Sequence, residues 1–257
     1  MSLIILNGRA YEVDALIFDK DGLLFQTKPF WRALALARLA GLADHLEAQD
    51  LADWLKLMGA DGRLNENGRW VIEEVDVNGM LAVASPDEET VATASFLAFR
   101  LGWSWVQALN AAREVYEAGD VNFSLKEALT PQKGFPGIFN RLREHGISYG
   151  LATSDTRERA LASLEMFDRA DGPLFIITPK EVRRGKPDPE MLVKAAEMLN
   201  TQPSRLAMVG DSVVDVQMAR AAGALGIGIP EHDQVRLAMA PYAPEIVSSL
   251  DDIVIAT

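Results

Sequence analysis

The stretch Leu16-Ile17-Phe18-Asp19-Lys20-Asp21-Gly22 decides the fold of this chain. Three apolar residues lead into two carboxylates and a glycine, a pattern that predicts a buried parallel strand ending in a turn. In open α/β sheets, ligands bind in the crevice beyond such strand tips. One of the two carboxylates, Asp19 or Asp21, can attack a substrate while the other moves a proton, and together they can hold a divalent cation.

So short a pattern taken alone also fits a polar turn. A calcium-binding loop does not fit, because its twelfth position would be Lys28 and a strand, not a helix, precedes it. The catalytic interpretation therefore depends on what the rest of the chain contains.

Three further segments follow the first in the chain. Gly150-Leu151-Ala152-Thr153-Ser154-Asp155 is an apolar run that ends in hydroxyls. Arg184-Gly185-Lys186-Pro187-Asp188-Pro189 is a loop with one lysine. Leu206-Ala207-Met208-Val209-Gly210-Asp211-Ser212-Val213-Val214-Asp215 is an apolar run that ends in paired acids. In this order, the four segments resemble the haloacid dehalogenase superfamily of phosphohydrolases, in particular its phosphoglycolate-phosphatase-like and β-phosphoglucomutase-like branch. The resemblance covers about residues 11–25 and 131–257.

Composition narrows the classes of function. The chain has 257 residues, 49% of them hydrophobic, a formal net charge of −12 and no cysteine. That length suits a core domain with a smaller second domain. The negative charge disfavours nucleic acid and anionic membranes as partners, and it leaves a phosphate site in need of a local cation. The lack of cysteine excludes thiolate nucleophiles and cysteine-based zinc sites.

Other features of the sequence bear on metals and location. The three histidines lie far apart, so none has a metal-ligand spacing. No apolar run reaches the roughly 18 residues of a membrane span. The N-terminal residues lack the basic region and cleavage site of a signal peptide. We therefore expect a cytoplasmic protein with no membrane association.

The pattern along the chain predicts an α/β fold. Asn7-Gly8 between two apolar runs predicts a hairpin. From Pro131 onward, expected strands (147–152, 174–178, 206–209, 224–229 and 246–247) alternate with expected helices (156–166, 189–199 and 213–222). Such alternation predicts a Rossmann-like, doubly wound parallel sheet.

The residues between the first motif and Pro131 have a different pattern, predominantly helical. Helices are expected over 29–60, 85–100 and 104–118, with a loop over 61–80 in which Trp70–Val75 is a candidate strand. Ser85-Pro86-Asp87-Glu88 carries the residues of a capping box. We expect a core domain of residues 1–25 and 130–257 and an inserted domain of residues 26–129. The resemblance implies that the insert is a helical cap.

The two carboxylates of the first motif can perform phosphoryl transfer. Asp19 is the candidate nucleophile, which would form an aspartyl-phosphate, and Asp21 is the candidate acid and base. In the family that the chain resembles, the second acid separates phosphohydrolases from dehalogenases, so Asp21 favours a phosphatase.

The other motifs supply candidate binding residues. Thr153 and the backbone N–H of Ser154 are expected to bind phosphoryl oxygens. Lys186 is expected beside Asp19, where it would steady developing charge, although a lone loop lysine also fits a solvated surface residue. We expect Asp19, Asp21, Asp211 and Asp215 to hold Mg²⁺, which prefers oxygen ligands. Helix capping at Asp155, Asp211 or Ser212 is the structural alternative, and it can coexist with ligation.

We therefore expect a Mg²⁺-dependent phosphatase that acts on a small phosphorylated metabolite, such as a phosphoglycolate-like compound or a sugar phosphate. A phosphosugar mutase of the β-phosphoglucomutase type would share every core residue and would differ in shielding the aspartyl-phosphate from water. A non-catalytic protein that binds a phosphometabolite is the alternative from another class. The sequence does not indicate an oligomeric state.

Overall fold

The computed structural model describes residues 2–76, 79–122, 125–168 and 172–256. The strands are β1 (Ser2–Leu6), β2 (Arg9–Val13), β3 (Ala15–Phe18), β4 (Ala60–Leu64), β5 (Trp70–Val75), β6 (Ser148–Ala152), β7 (Ile176–Ile177), β8 (Leu206–Gly210), β9 (Leu225–Gly228), β10 (Glu245–Ile246) and β11 (Val254–Ala256). The helices are α1 (Thr27–Leu42), α2 (Ala48–Leu57), α3 (Met80–Val83), α4 (Pro86–Leu101), α5 (Trp105–Asn122), α6 (Leu125–Ala128), α7 (Gly137–Glu144), α8 (Arg157–Phe167), α9 (Glu190–Met198), α10 (Val213–Ala222) and α11 (Asp233–Met239).

The chain divides into two compact units. One contains the residues up to Gln26 and those from Pro131 onward, and the other spans Thr27–Thr130. Among the described residues, no helix combines the length and the apolar run needed to cross a bilayer.

The first unit is built on a six-stranded sheet with the order β10-β9-β8-β3-β6-β7, in which neighbouring strands are parallel. All four residues of β3 and all five of β8 are buried, as expected for strands with both faces covered. Phe18 makes an edge-to-face contact with Phe139 of α7, with the ring centroids 5.3 Å apart. The predicted α/β class with a parallel sheet is confirmed.

A second, three-stranded sheet of this unit has the order β11-β1-β2. The predicted hairpin is present, because Leu6 pairs with Arg9 around Asn7 and Gly8, whose φ angles are +49° and +79°. Two positive φ angles are what a two-residue hairpin turn of this kind requires. The pairing of β1 with β11 was not predicted, because three residues of edge strand carry too weak a sequence pattern.

The second unit is mainly helical around a core that includes Trp54, Leu97 and Ala112. The Ser85 capping box is present at the start of α4. The candidate strand Trp70–Val75 is confirmed. The loop expected over 61–80 was wrong for residues 61–64, which belong to the unpredicted β4 and pair with β5 in an antiparallel hairpin. The segment Ala60–Leu64 (ADGRL) lacks a strand-like pattern, so only the pairing with β5 explains its extended backbone.

Candidate active site

Three neighbouring strands of the parallel sheet end at the same level. Phe18, the last residue of β3, pairs with Val209 of β8 on one side and with Leu151 of β6 on the other. The residues that follow these strands therefore come together beyond one edge of the sheet. The first, second and fourth motifs supply those residues, as predicted from the apolar runs that precede them.

The carboxylates of Asp19, Asp211 and Asp215 form one group, in which one oxygen of each lies within 4.8 Å of the others. The Lys186 ammonium lies 2.7 Å from Oδ1 of Asp19 and 2.7 Å from Oδ1 of Asp215. Only 4% of the Lys186 side chain is exposed. The solvated surface alternative for Lys186 was therefore wrong.

Two glycines of the motifs provide space for these acids. A Cβ on Gly22, whose φ is +89°, would lie 2.0 Å from Oδ2 of Asp211. A Cβ on Gly210 would lie 2.3 Å from the Asp215 carboxylate. Any larger residue at either position would displace a carboxylate of the group, so each glycine is part of the geometry of the site.

Asp215 accepts two hydrogen bonds from Ser212 besides its place in the acid group. Its Oδ2 accepts hydrogen bonds from the backbone N–H of Ser212 at 3.1 Å and from the Ser212 hydroxyl at 2.6 Å. These bonds form a capping box at the start of α10. Its other oxygen, Oδ1, faces Lys186, so capping and site formation coexist in one carboxylate, as the sequence allowed.

The Asp21 side chain lies outside this group of three, so the structure does not bring its carboxylate together with those of the other predicted metal ligands. It instead pairs with the Lys20 ammonium. Lys20 is fully buried and also lies 3.0 Å from Oδ2 of Asp155, and Asp155 lies 3.5 Å from Nε of Arg159. Sequence reasoning missed Lys20 and Arg159, because a lysine between two acids and an arginine on a helix both look like surface charges.

Thr153 and Ser154 occupy the turn between β6 and α8. The Thr153 side chain is buried, and its Oγ1 accepts a hydrogen bond from the Asp155 N–H at 3.1 Å. This bond uses an acceptor site of Oγ1, so the hydroxyl proton can be donated to an anion. The alternative that Asp155 caps the helix after β6 was wrong. Thr156 is the N-cap, and it accepts from the N–H of Arg159.

The sequence matches a family model described as hydrolase, haloacid dehalogenase-like hydrolase, over residues 13–223. The chain belongs to this family.

Two curated relatives agree with that assignment. N-acetylmuramic acid 6-phosphate phosphatase of Pseudomonas aeruginosa is 30% identical over 93 residues, which are 36% of this chain and 41% of that protein. Phosphonoacetaldehyde hydrolase of Bacillus cereus is 35% identical over 120 residues, 45% of this chain and 46% of that protein. The matched region thus spans less than half the length of either relative.

Solved structures carry the same fold. The crystal structure of a predicted phosphoglycolate phosphatase from Haemophilus somnus is similar, with a TM-score of 0.65 at 15% identity. The match covers 94% of this chain and 96% of that one. The family model confirms the predicted haloacid dehalogenase-like family, and this likeness agrees with the predicted fold.

Burial and crowding of like charges set the proton affinities in this haloacid dehalogenase-like site. Burial, with the neighbouring charges of Asp215 and Asp21, raises the pKa of Asp19 to about 7 against the lowering effect of Lys186. Burial and the charges of Asp19 and Asp215 raise the pKa of Asp211 well above its ordinary value. For Lys186, burial acts to lower the pKa, but the two carboxylates outweigh it and the pKa is raised.

The two carboxylates that contact Lys20, those of Asp21 and Asp155, have pKa values shifted in opposite directions. Burial raises the pKa of Asp21, and Lys20 limits the rise. Burial also acts to raise the pKa of Asp155, but Lys20 and Arg159 outweigh it and the pKa is lowered. Asp21 is therefore the carboxylate of this pair that holds a proton more readily, which suits a group that donates one.

The residues present fit a divalent cation. Oδ1 of Asp211 is buried and has no hydrogen-bond partner among the described residues, which is costly for a carboxylate oxygen unless a ligand meets it. The donor set of Asp19, Asp211 and Asp215 is entirely oxygen, the kind that Mg²⁺ prefers. The three carboxylates of this group face the Lys186 ammonium, so when all three are ionised, two negative charges remain for a divalent ion to neutralise.

Proposed function

We propose that this enzyme is a Mg²⁺-dependent phosphatase that hydrolyses a small organic phosphate monoester through an aspartyl-phosphate. The observation that carries the proposal is the environment of the Asp19 carboxylate. It lies in contact with a buried lysine and within one group of acids that fits a divalent cation, while a second, differently paired acid stands two residues along the chain. Phosphoryl transfer requires a nucleophile, cations that neutralise the charge of the phosphoryl group, and a separate proton donor.

In the first step, an Asp19 oxygen attacks phosphorus, the bond from phosphorus to the ester oxygen breaks, and Asp21 gives its proton to the departing alcohol. In the second step, water attacks the phosphorus of the aspartyl-phosphate and loses a proton to Asp21. The acyl phosphate bond then breaks, which releases inorganic phosphate and restores Asp19 and protonated Asp21.

The remaining residues of the site bind the phosphoryl group and neutralise its charge. The Thr153 hydroxyl donates to a phosphoryl oxygen, with the Ser154 N–H beside it. Lys186 neutralises charge that spreads over the phosphoryl oxygens in the transition state. Asp19, Asp211 and Asp215 would hold Mg²⁺, which supplies further charge neutralisation at the transferred group.

We propose that the unit of residues 27–130 selects the substrate. Its composition and place in the chain match the cap insert that the family resemblance implies. One curated relative is by name an N-acetylmuramic acid 6-phosphate phosphatase, and a structure with the same fold is that of a predicted phosphoglycolate phosphatase, which supports small phosphorylated metabolites as substrates.

The test is phosphate release from a panel of sugar phosphates, phosphoglycolate and an aryl phosphate, with and without Mg²⁺. We expect Mg²⁺-dependent release that is abolished in Asp19→Asn. The exposed Asp233→Asn serves as the matched control, because it removes a similar charge from the same unit far from the motifs in sequence.

Each other outcome identifies a competing function. Conversion of a sugar phosphate to an isomer with no release of phosphate would favour the mutase. Tight binding of a panel member, with no turnover and no effect of Asp19→Asn, would favour a non-catalytic phosphometabolite-binding protein. Near-normal turnover in Asp19→Asn would refute the assignment of the nucleophile.

A further inference from the structure

Lys20 is a fully buried ammonium group beside the candidate nucleophile. A buried charge is tolerated only when it is paired and hydrogen-bonded. Lys20 contacts two carboxylates, the Asp21 carboxylate directly and Oδ2 of Asp155 at 3.0 Å. A lysine placed at such cost, one residue from the reacting acid, needs an explanation that the proposed chemistry does not supply.

The ion pair between Lys20 and Asp155 joins two loops that are far apart in the sequence. The Lys20 carbonyl accepts from the N–H of Leu24 at 2.9 Å, which fixes Lys20 in the turn after β3. Asp155 belongs to the turn after β6, where its own N–H donates to Oγ1 of Thr153. The ion pair therefore connects the turn that carries the two acids with the turn that carries the phosphate-binding hydroxyl.

The Asp155 carboxylate has contacts with the Thr156 N–H, the Arg159 side chain and the Lys20 ammonium. Its Oδ1 accepts from the N–H of Thr156 at 2.7 Å and lies 3.5 Å from Nε of Arg159, while Oδ2 faces Lys20. Arg159 stands on α8, so the helix anchors Asp155, which in turn anchors Lys20. Side chains fixed by such supporting contacts hold a reacting group more accurately than a free rotamer does.

We propose that Lys20, supported by Asp155 and Arg159, is a positioning residue that holds the Asp21 carboxylate for proton transfer to the leaving group. This inference rests on the proposed phosphatase function, because it deepens the role of Asp21 in that reaction. Lys20 touches neither substrate nor metal in the proposed mechanism and acts through Asp21 alone.

The test compares Lys20→Met with wild type on two substrates, an alkyl phosphate and 4-nitrophenyl phosphate. The alkoxide is a poor leaving group that needs a proton, whereas nitrophenolate leaves without one. Because kcat/KM reports the steps up to release of the alcohol, it isolates the proton transfer that Asp21 performs. We expect a loss of about 100-fold in kcat/KM for the alkyl phosphate and of no more than about 5-fold for the nitrophenyl ester.

Lys194→Met is the matched control. The Lys194 side chain belongs to the same unit and donates to the carbonyl of Glu181 at 2.7 Å, but it has no contact with the acids in the described part of the chain. We expect it to leave both substrates within about 2-fold of wild type, as is usual for changes away from a site. If Lys20→Met does not fold, Asp155→Asn tests the same chain of contacts, and the same selective loss is expected.

A crystal structure of the Lys20→Met variant beside that of wild type decides the matter independently of turnover. We expect the Asp21 carboxylate to move away from its wild-type position while Asp19 and Lys186 keep theirs. Equal losses on both substrates, or an unmoved Asp21, would overturn the proposal. If wild type releases phosphate from no substrate, the proposed function fails and the catalytic role of Lys20 fails with it, whereas an unmoved Asp21 in an active enzyme overturns the positioning role alone.

Discussion

Replacing Gly22 with alanine tests whether the site depends on the close approach between this glycine and Asp211. The new Cβ would lie 2.0 Å from Oδ2 of Asp211, whereas ordinary contact begins at about 3.4 Å. The carboxylate must therefore retreat by more than an ångström or the turn must shift by as much. Misplacement of a catalytic group by about 1 Å can cost on the order of 100-fold in rate.

The substitution also has a backbone cost that must be separated from the effect on Asp211. A non-glycine residue at φ +89° is strained by about 1–2 kcal/mol. Gly8→Ala is the matched control, because Gly8 has a φ of +79° and a Cβ added there would meet nothing within 4 Å. Both variants carry similar backbone strain, and only Gly22→Ala displaces an acid.

The assay is Mg²⁺-dependent phosphate release, with Mg²⁺ affinity from calorimetry and unfolding in urea on the same samples. We expect both variants to lose about 1–2 kcal/mol of unfolding free energy, with a further loss in Gly22→Ala. Only Gly22→Ala should lose about 100-fold in kcat, together with Mg²⁺ affinity. Activity and Mg²⁺ affinity in Gly22→Ala within a few-fold of Gly8→Ala would refute the reasoning.

Three further predictions concern Lys186, the protonation of Asp19 and the helix cap at Ser85. Lys186→Met should lower kcat by on the order of 100-fold or more, because the Asp19 and Asp215 carboxylates lose their shared cation; steady-state kinetics check this, and a loss of only a few-fold would exclude the role. Because the folded-state pKa of Asp19 is raised from 3.8 to about 7, its protonated form stabilises the metal-free fold at low pH, and this stability is lost as the pH rises through about 7. Since Mg²⁺ competes with that proton, the rise in Tm on adding Mg²⁺ should be larger at pH 8 than at pH 5, and a pH-independent rise would contradict the assignment. Ser85→Ala should lower the unfolding free energy in urea by about 1 kcal/mol, because the cap of α4 is lost. The phosphate assay should show an unchanged kcat for this variant.

The sequence was enough to predict the parts of the fold that have strong periodicity. The strands that end at Phe18 and Gly210 are buried apolar runs followed by acids, and such runs are hard to place anywhere but in a covered parallel sheet. The hairpin at Asn7-Gly8 has a turn chemistry of its own. Elements that depend on a partner strand for their conformation, such as Ala60–Leu64, could not be predicted, since their residues favour no extended structure by themselves.

The acids were predicted as neighbours because they follow the ends of strands in one parallel sheet. Lys186 was placed beside them because of the order of the four motifs in the chain. The sequence could not show which side chain each acid would face. Asp21 turns to Lys20 and not to Asp211, and Asp155 turns to Lys20 and leaves the helix cap to Thr156. Such choices depend on the burial of single charges in three dimensions, where each ion must find a counter-ion.

The insertion of Thr27–Thr130 between β3 and the rest of its sheet also constrains the order of events during synthesis. Strand β3 pairs with β6 and β8, whose residues are translated well over a hundred positions later. At the usual rate of about 5–20 residues per second, β3 waits on the order of 10–40 s for β8 to be made. Through that interval, the strand that leads into Asp19 is an apolar segment without its sheet partners, while Thr27–Thr130, a compact unit formed by one continuous stretch, is already complete in the growing chain.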